Sequence, residues 1–241
     1  MEKSVKELVD HLKTVHGGNL LSVVLYGSAV TGEHVQGQSD YNLLVVLERI
    51  TPSDLRLAQP VVDQWHNQGN PLPLYFTREE VADASDVFPI EFIDMSTAHQ
   101  VLYGQDPFDG LEVGRHNLRH QLEYELRGKL IRLRELYIPA STDANRLSAL
   151  MADSLNSFAV LFRHVLAVIG ESLPATKRAA MTQLTEKMKI DPTPLLNVLD
   201  IRERGPIASL EQATDAFAAY LAAIEAIIRR VDKLGREEET Q

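Results

Sequence analysis

Residues 25–48 read LYGSAVTGEHVQGQSDYNLLVVLE, and the fold turns on this stretch. An apolar run ends in Tyr26-Gly27-Ser28, a polar loop follows, and Asp40-Tyr41-Asn42 leads into a second apolar run. Short aliphatic and β-branched runs separated by Gly-rich punctuation read as two strands joined by a loop. Gly27 lets the backbone come close to a ligand because no Cβ stands in the way. Ser28 adds a hydroxyl to the backbone N–H donors of the turn, a setting that suits phosphate oxygens. Side chains alternate along a strand, so Asp40 and Asn42 project to one face. Beside a phosphate cradle, that pair could hold a divalent cation.

Outward from this stretch, Val5, Leu8, Val9, Leu12 and Val15 have the spacing of an amphipathic helix over residues 3–15. Strands are expected at Leu20–Tyr26 and Tyr41–Glu48. A helix opens at Thr51-Pro52-Ser53-Asp54, where Pro suits a first helical position. Leu72–Thr77 reads as an edge strand, since Pro73 cannot donate to a central ladder. The run Phe88-Pro89-Ile90-Glu91-Phe92-Ile93-Asp94-Met95 fits either a strand or a helix start. From Arg115 onward the pattern is helical throughout. Leu118, Leu122, Leu126, Leu130, Leu133 and Tyr137 mark one helix face. Leu147, Leu150, Met151, Phe158, Leu161, Phe162, Val165 and Ile169 mark another. Leu210, Ala213, Phe217, Tyr220, Leu221, Ile224, Ile228 and Val231 mark a third, with shorter helices between Thr176 and Asp200, which together predict an antiparallel bundle. The expected class is α+β: a mixed sheet with flanking helices over residues 1–114, then an all-α bundle over 115–241.

Composition narrows the function. The chain has 241 residues, 44% of them hydrophobic and 24% charged, which places it among globular proteins. Its net charge is −10, and residues 1–114 hold 6 Lys/Arg against 17 Asp/Glu, so a basic track for nucleic acid is not expected there. Cysteine is absent, which removes disulfides, thiolate zinc sites and cysteine nucleophiles. No apolar run approaches the ~18 to 20 residues that span a bilayer, and the N-terminus is amphipathic rather than signal-like, so a cytoplasmic protein with no membrane partner is expected. There is no H-E-x-x-H pattern, no Gly-x-Ser-x-Gly elbow and no Walker P-loop.

The segment Tyr26-Gly27-Ser28, eleven residues, then Asp40-Tyr41-Asn42-Leu43 resembles the hallmark of the nucleotidyltransferase superfamily, which includes DNA polymerase beta and the bacterial aminoglycoside and minimal nucleotidyltransferases. That hallmark is an apolar residue, Gly, Gly or Ser, about nine to thirteen residues, and then acid, apolar, acid, apolar. The spacing matches, and Asn42 stands where the second acid belongs. The helix-strand order and the helical second half also look like bacterial two-domain members. The resemblance implies a Gly27-Ser28 turn on a nucleoside triphosphate, with ATP as the expected one. It implies Mg²⁺ held by Asp40 and the position of Asn42, and transfer of a nucleoside monophosphate to a hydroxyl of a small molecule or protein. A third carboxylate on a later strand polarises that hydroxyl in the family; the strand at Leu72–Thr77 has none, and Glu91, with Asp94 near it, is the candidate. Asn42 offers a neutral oxygen where a metal pair needs an anion. That substitution favours a second reading, a degenerate domain that binds nucleotide or acts as a scaffold. A homodimer is among the partners left open.

One further feature is the basic excess from Arg115 to Arg134, six Lys/Arg against Glu123 and Glu125. The spacing of Glu123 to Arg127 and Glu125 to Lys129 matches intrahelical ion pairs, and this reading is preferred to an anion-binding face.

Overall fold

The computed structural model describes residues 2–30, 41–174 and 176–238. The chain divides into two compact units, Met1–Gly114 and Arg115–Gln241. In the first, α1 (Glu2–His16) leads into β1 (Leu20–Tyr26), and β2 (Asn42–Leu47) is followed by α2 (Pro52–His66). Then come β3 (Leu74–Thr77), α3 (Arg78–Val87), α4 (Pro89–Thr97) and β4 (His99–Gly104). The sheet order is β3-β2-β1-β4. β1 is antiparallel to both β2 and β4, and β2 is parallel to β3. The α+β class expected from the sequence is the one the structure has.

Both faces of the sheet are covered, which is why β1 and β2 read as unbroken apolar runs instead of alternating ones. Val23, Leu25, Leu43, Val45 and Leu47 pack with Leu8 and Leu12 of α1 and Trp65 of α2. Val24, Leu44 and Val46 pack on the other face with Val81 of α3, Phe92 and Met95 of α4, and Phe108. The helix starts are chemically specified. Thr51 and Asp54 form a reciprocal capping box at α2, and Thr77 with Glu80 does the same at α3. The ambiguous run at 88–95 is helical, and Pro89 occupies the first position of α4, where its missing N–H costs nothing. β3 is an edge strand, as the position of Pro73 before it suggests.

β4 closes on β1 only because residue 104 is glycine. Its φ is +79°, and a Cβ placed there would lie 1.8 Å from the Leu21 carbonyl oxygen. Less favourable is the interior between α1 and β3. His16 is 7% exposed, and both of its ring nitrogens, like the Tyr75 hydroxyl, lack a hydrogen-bond partner. The two rings meet edge to face at 6.0 Å.

The second unit consists of α5 (Arg115–Ala140), α6 (Ala144–Val168), α7 (Lys177–Met188), α8 (Thr193–Arg204) and α9 (Leu210–Glu238). Leu118, Leu122, Leu126, Leu130 and Leu133 of α5 are buried, as are Met151, Phe158, Phe162 and Val165 of α6 and Phe217, Tyr220 and Ile224 of α9. Tyr137 stacks on Phe217 at 4.4 Å, and the buried Tyr220 hydroxyl meets the Ser154 hydroxyl at 3.0 Å. The basic residues of α5 serve the bundle in part. Arg127 pairs with Glu123 and reaches Asp232, and Arg134 pairs with Glu225, so both tie α5 to α9. Among the described residues no helix is long and apolar enough to cross a membrane.

Two outcomes follow from the tight points of the first unit. Gly104→Ala has neither the room nor the backbone freedom it needs, so a loss of about 2 kcal/mol or more is expected in urea unfolding. Burial holds the His16 imidazole below its ordinary value of 6.5, against the opposing pull of Asp54. The unfolded chain therefore takes up a proton first as pH falls past about 6.5, and stability declines from there. His16→Leu is expected to stabilise by about 1 kcal/mol at pH 8, because two unpaired polar atoms leave the interior. Its advantage over wild type should widen at pH 5.5, and an equal advantage at both pH values would rule out the buried imidazole as the cause.

Candidate functional site

The two ends of the decisive stretch meet at one end of the sheet. Tyr26, the last residue of β1, pairs across the ladder with Asn42, the first residue of β2, and on its other side with His99, the first residue of β4. Residues directly opposite in antiparallel strands share a face. Tyr26, Asn42 and His99 therefore form a row on the face that carries Val24 and Leu44. Burial pushes the Tyr26 phenol above its usual range, so it is a neutral hydrogen-bonding group at any physiological pH.

Gly27 then turns the chain away from the sheet. Its φ is +83°, its N–H donates to the Ala98 carbonyl at 2.9 Å, and its carbonyl accepts from the Val30 N–H at 3.0 Å, closing a short turn over Gly27–Ala29. A Cβ on residue 27 would sit 3.4 Å from Asn42 Nδ2, an ordinary contact, so the glycine is required by conformation and not by space. The same geometry puts the half-buried Asn42 carboxamide directly beside the turn.

Of the other residues singled out from the sequence, Ser28 lies within the turn by its backbone. Asp40 falls outside the described residues, two positions before Asn42. Glu91 stands apart from the row. It is exposed on the first turn of α4, whereas Ala98, the residue that accepts from Gly27, caps the opposite end of that helix. The two are seven positions apart, about 10 Å along the helix axis. Asp94 is nearer, half-buried one turn before Ala98.

The structure adds a pair that motif reading passed over. His99 Nδ1 faces the Ser96 carbonyl at 2.9 Å and Nε2 faces Asp106 Oδ2 at 3.0 Å, while the ring packs edge-on against Phe108 at 5.0 Å. Both partners are oxygen acceptors, so the ring is held from its two nitrogens. Burial works to raise the Asp106 carboxyl, but the Phe108 N–H, the His99 hydrogen bond and the His99 charge outweigh it and hold the carboxyl below its ordinary value. The segment after β4 is thus pinned back over the sheet. The only sequence signal was position: His99 opens a strand as Asn42 does.

Among the described residues no group of three or more His, Cys, Asp or Glu side chains is placed to hold a metal ion. Of the metal positions expected from the sequence, Asn42 brings its amide oxygen to this sheet end, and Asp40 lies outside the described residues. One carboxylate and one amide oxygen suit a single hard cation that keeps several waters; they lack the second anion that a close pair of cations needs.

No protein-family model matches the chain, and no curated protein matches it. Among solved structures, the chain is similar to a spectinomycin adenyltransferase from Enterococcus faecialis, solved with ATP and spectinomycin. The two are 13% identical, with a TM-score of 0.49, over 98% of this chain and 99% of that one.

The turn itself is open to test. Gly27→Ala is expected to lose about 1 to 2 kcal/mol of stability, because an L-residue pays for the positive φ. Gly27→Asn should lose less, since Asn tolerates the left-handed region. Equal losses for the two variants in chemical unfolding would show that the cost comes from something other than the backbone angle.

Proposed function

We propose that residues 1–114 form a nucleotidyltransferase-like domain that holds a nucleoside triphosphate at the Gly27-Ser28 turn and transfers its nucleoside monophosphate to a hydroxyl of a small molecule or protein. The observation that supports this reading is the pairing of Tyr26 with Asn42, which brings the Gly-Ser turn and the start of β2, two positions after Asp40 in the sequence, to one sheet end. Turn N–H groups and the Ser28 hydroxyl suit the phosphate oxygens. The acceptor oxygen attacks the α-phosphorus, a new P–O bond forms, and pyrophosphate leaves with the electron pair of the bond that breaks. Asp40, the one carboxylate of the motif, orients the acceptor hydroxyl and takes up the proton it loses as the new P–O bond forms. Asp40 and the Asn42 oxygen would hold Mg²⁺, which would supply charge neutralisation for the phosphates. ATP is the expected triphosphate, and the acidic balance of residues 1–114 disfavours a polynucleotide acceptor.

A second reading is favoured by Asn42 and by the place of Glu91. With an amide in the second position and that carboxylate about 10 Å along α4 from the turn, the domain binds nucleotide without turning it over, or serves as a scaffold.

Calorimetric titration of ATP and GTP, with and without Mg²⁺, separates the readings. The expected result is Mg²⁺-dependent binding that Asp40→Ala weakens at least about tenfold and Asn42→Asp strengthens. Turnover by the wild-type chain, read as pyrophosphate release with a panel of hydroxyl acceptors, distinguishes the enzyme from the degenerate domain. Absence of binding for both nucleotides in every condition would remove the nucleotide site altogether.

A further inference from the structure

His116 and His120 stand four residues apart on α5, so they lie on one face of the helix, one turn from each other. Both are exposed. Their Nε2 atoms are 3.1 Å apart, and the rings meet at 76° with centroids 4.4 Å apart. Two imidazoles that bring the same nitrogen together in this way have the form of the two arms of a chelate. Bonds from an imidazole nitrogen to Zn²⁺ are about 2.0–2.1 Å long, so nitrogens at this separation subtend about 100° at an ion bonded to both. That angle falls between the right angle of an octahedral or square site and the wider angle of a tetrahedral one. The helix backbone therefore supplies the bite that such an ion needs.

The neighbouring groups leave the two nitrogens available. Arg119 Nη2 is 3.1 Å from Nε2 and 3.3 Å from Nδ1 of His120. A point so nearly equidistant from both nitrogens lies over the face of the ring, because in the ring plane it would run into Cε1. The guanidinium thus stacks on the imidazole, and the Nε2 lone pair, which lies in the ring plane, is left for an ion. The charges around the pair are matched. Arg119 pairs with Glu123 at 3.0 Å, and Arg127 pairs with the same carboxylate at 2.8 Å and reaches Asp232 at 3.8 Å. The Arg115 guanidinium stands instead beside Gly170, just past the end of α6, where a cation suits the helix C-terminus.

We propose that His116 and His120 bind one divalent transition-metal ion through their Nε2 atoms, with water in its remaining positions. In that state each ring carries its single hydrogen on Nδ1, and exposure to solvent gives that N–H a water to donate to. The donor type fixes the class of ion: neutral imidazole suits Zn²⁺, Ni²⁺ and Cu²⁺, whereas Mg²⁺ takes oxygen. The site is chemically separate from the cation position at Asp40 and Asn42 and stands independently of the nucleotide reading. Bound there, the ion ties two successive turns at the start of α5 and so stabilises the helical unit. Two protein ligands and no enclosing shell make the site an exchangeable one.

Thermal unfolding of the tag-free full chain with Ni²⁺, Zn²⁺ or Mg²⁺ at about 1 mM, together with calorimetric titration of Ni²⁺, tests it. Against the same concentration of Mg²⁺, Ni²⁺ and Zn²⁺ are expected to raise the melting temperature by at least about 2 °C, Ni²⁺ more than Zn²⁺. His116→Gln and His120→Gln, at exposed positions and melting like wild type in Mg²⁺, are each expected to weaken Ni²⁺ binding at least about tenfold, since one imidazole has no second arm. His11→Gln removes an exposed histidine on α1 and is expected to bind Ni²⁺ as wild type does. Absence of Ni²⁺ binding at 1 mM overturns the proposal. So does binding that either α5 variant leaves intact, or binding that His11→Gln weakens as much.

Discussion

The hydrogen bond from the Gly27 N–H to the Ala98 carbonyl is the constraint on which the first unit depends. It joins the end of the central strand β1 to the end of α4, at the point where the chain must both leave the sheet and re-enter it as β4. At φ +83° the chain after that N–H turns away from the sheet, and only glycine adopts this angle at little cost. Once the bond is made, Tyr26 is held between Asn42 and His99, so the chemistry of the sheet end is set by which residues open β2 and β4. Gly104 performs the matching task at the far end, where a close approach to Leu21 lets β4 lie against β1. Two glycines at the two ends of one strand pair therefore fix a register that the apolar side chains between them fill.

How legible this was in the sequence depended on how local the cause was. β1, β2 and the start of α2 have causes within a few residues: continuous aliphatic runs, and a Thr51-Pro52-Ser53-Asp54 cap that signals its own geometry. β3 was readable as an edge strand from Pro73 alone. β4 was not readable, because HQVLYG has no alternation and no run long enough to distinguish it; it is a strand because β1 offers it a ladder. The run around Glu91 was ambiguous for the same reason, and Pro89, placed at a first helical position after a capped α3, decides it as helix. In the site, Gly27 and Asn42 were legible as a motif and do lie side by side. The distance of Glu91 from the turn could not be read, since it depends on which end of α4 meets Gly27.

Charge is distributed between the two units according to different needs. The first unit concentrates acids on exposed helix starts such as Asp54 and Glu80, where each completes a cap and so does local work. The Asp54 carboxyl is held below its ordinary value first by the Thr51 hydroxyl, with burial opposing. In the second unit, acids and bases are balanced and interleaved, and Arg127 and Arg134 span from α5 to α9. Exposed pairs of this kind contribute only about 0 to 1 kcal/mol each, so the bundle is held by its leucine and phenylalanine core. What the pairs provide is orientation, keeping α5 turned so that one face is always inward.

That fixed rotation decides which of two apolar faces of α5 is buried. A helix with one apolar stripe can settle its rotation by burying it; a helix with two opposite stripes has two ways to do so. Here Leu122 and Leu126 are fully buried, Tyr137 is stacked on Phe217, and the α9 ion pairs lie on the flank, so the inward choice is determined. Tyr124, Ile131 and Ile138 are then left outward by geometry, not by chance.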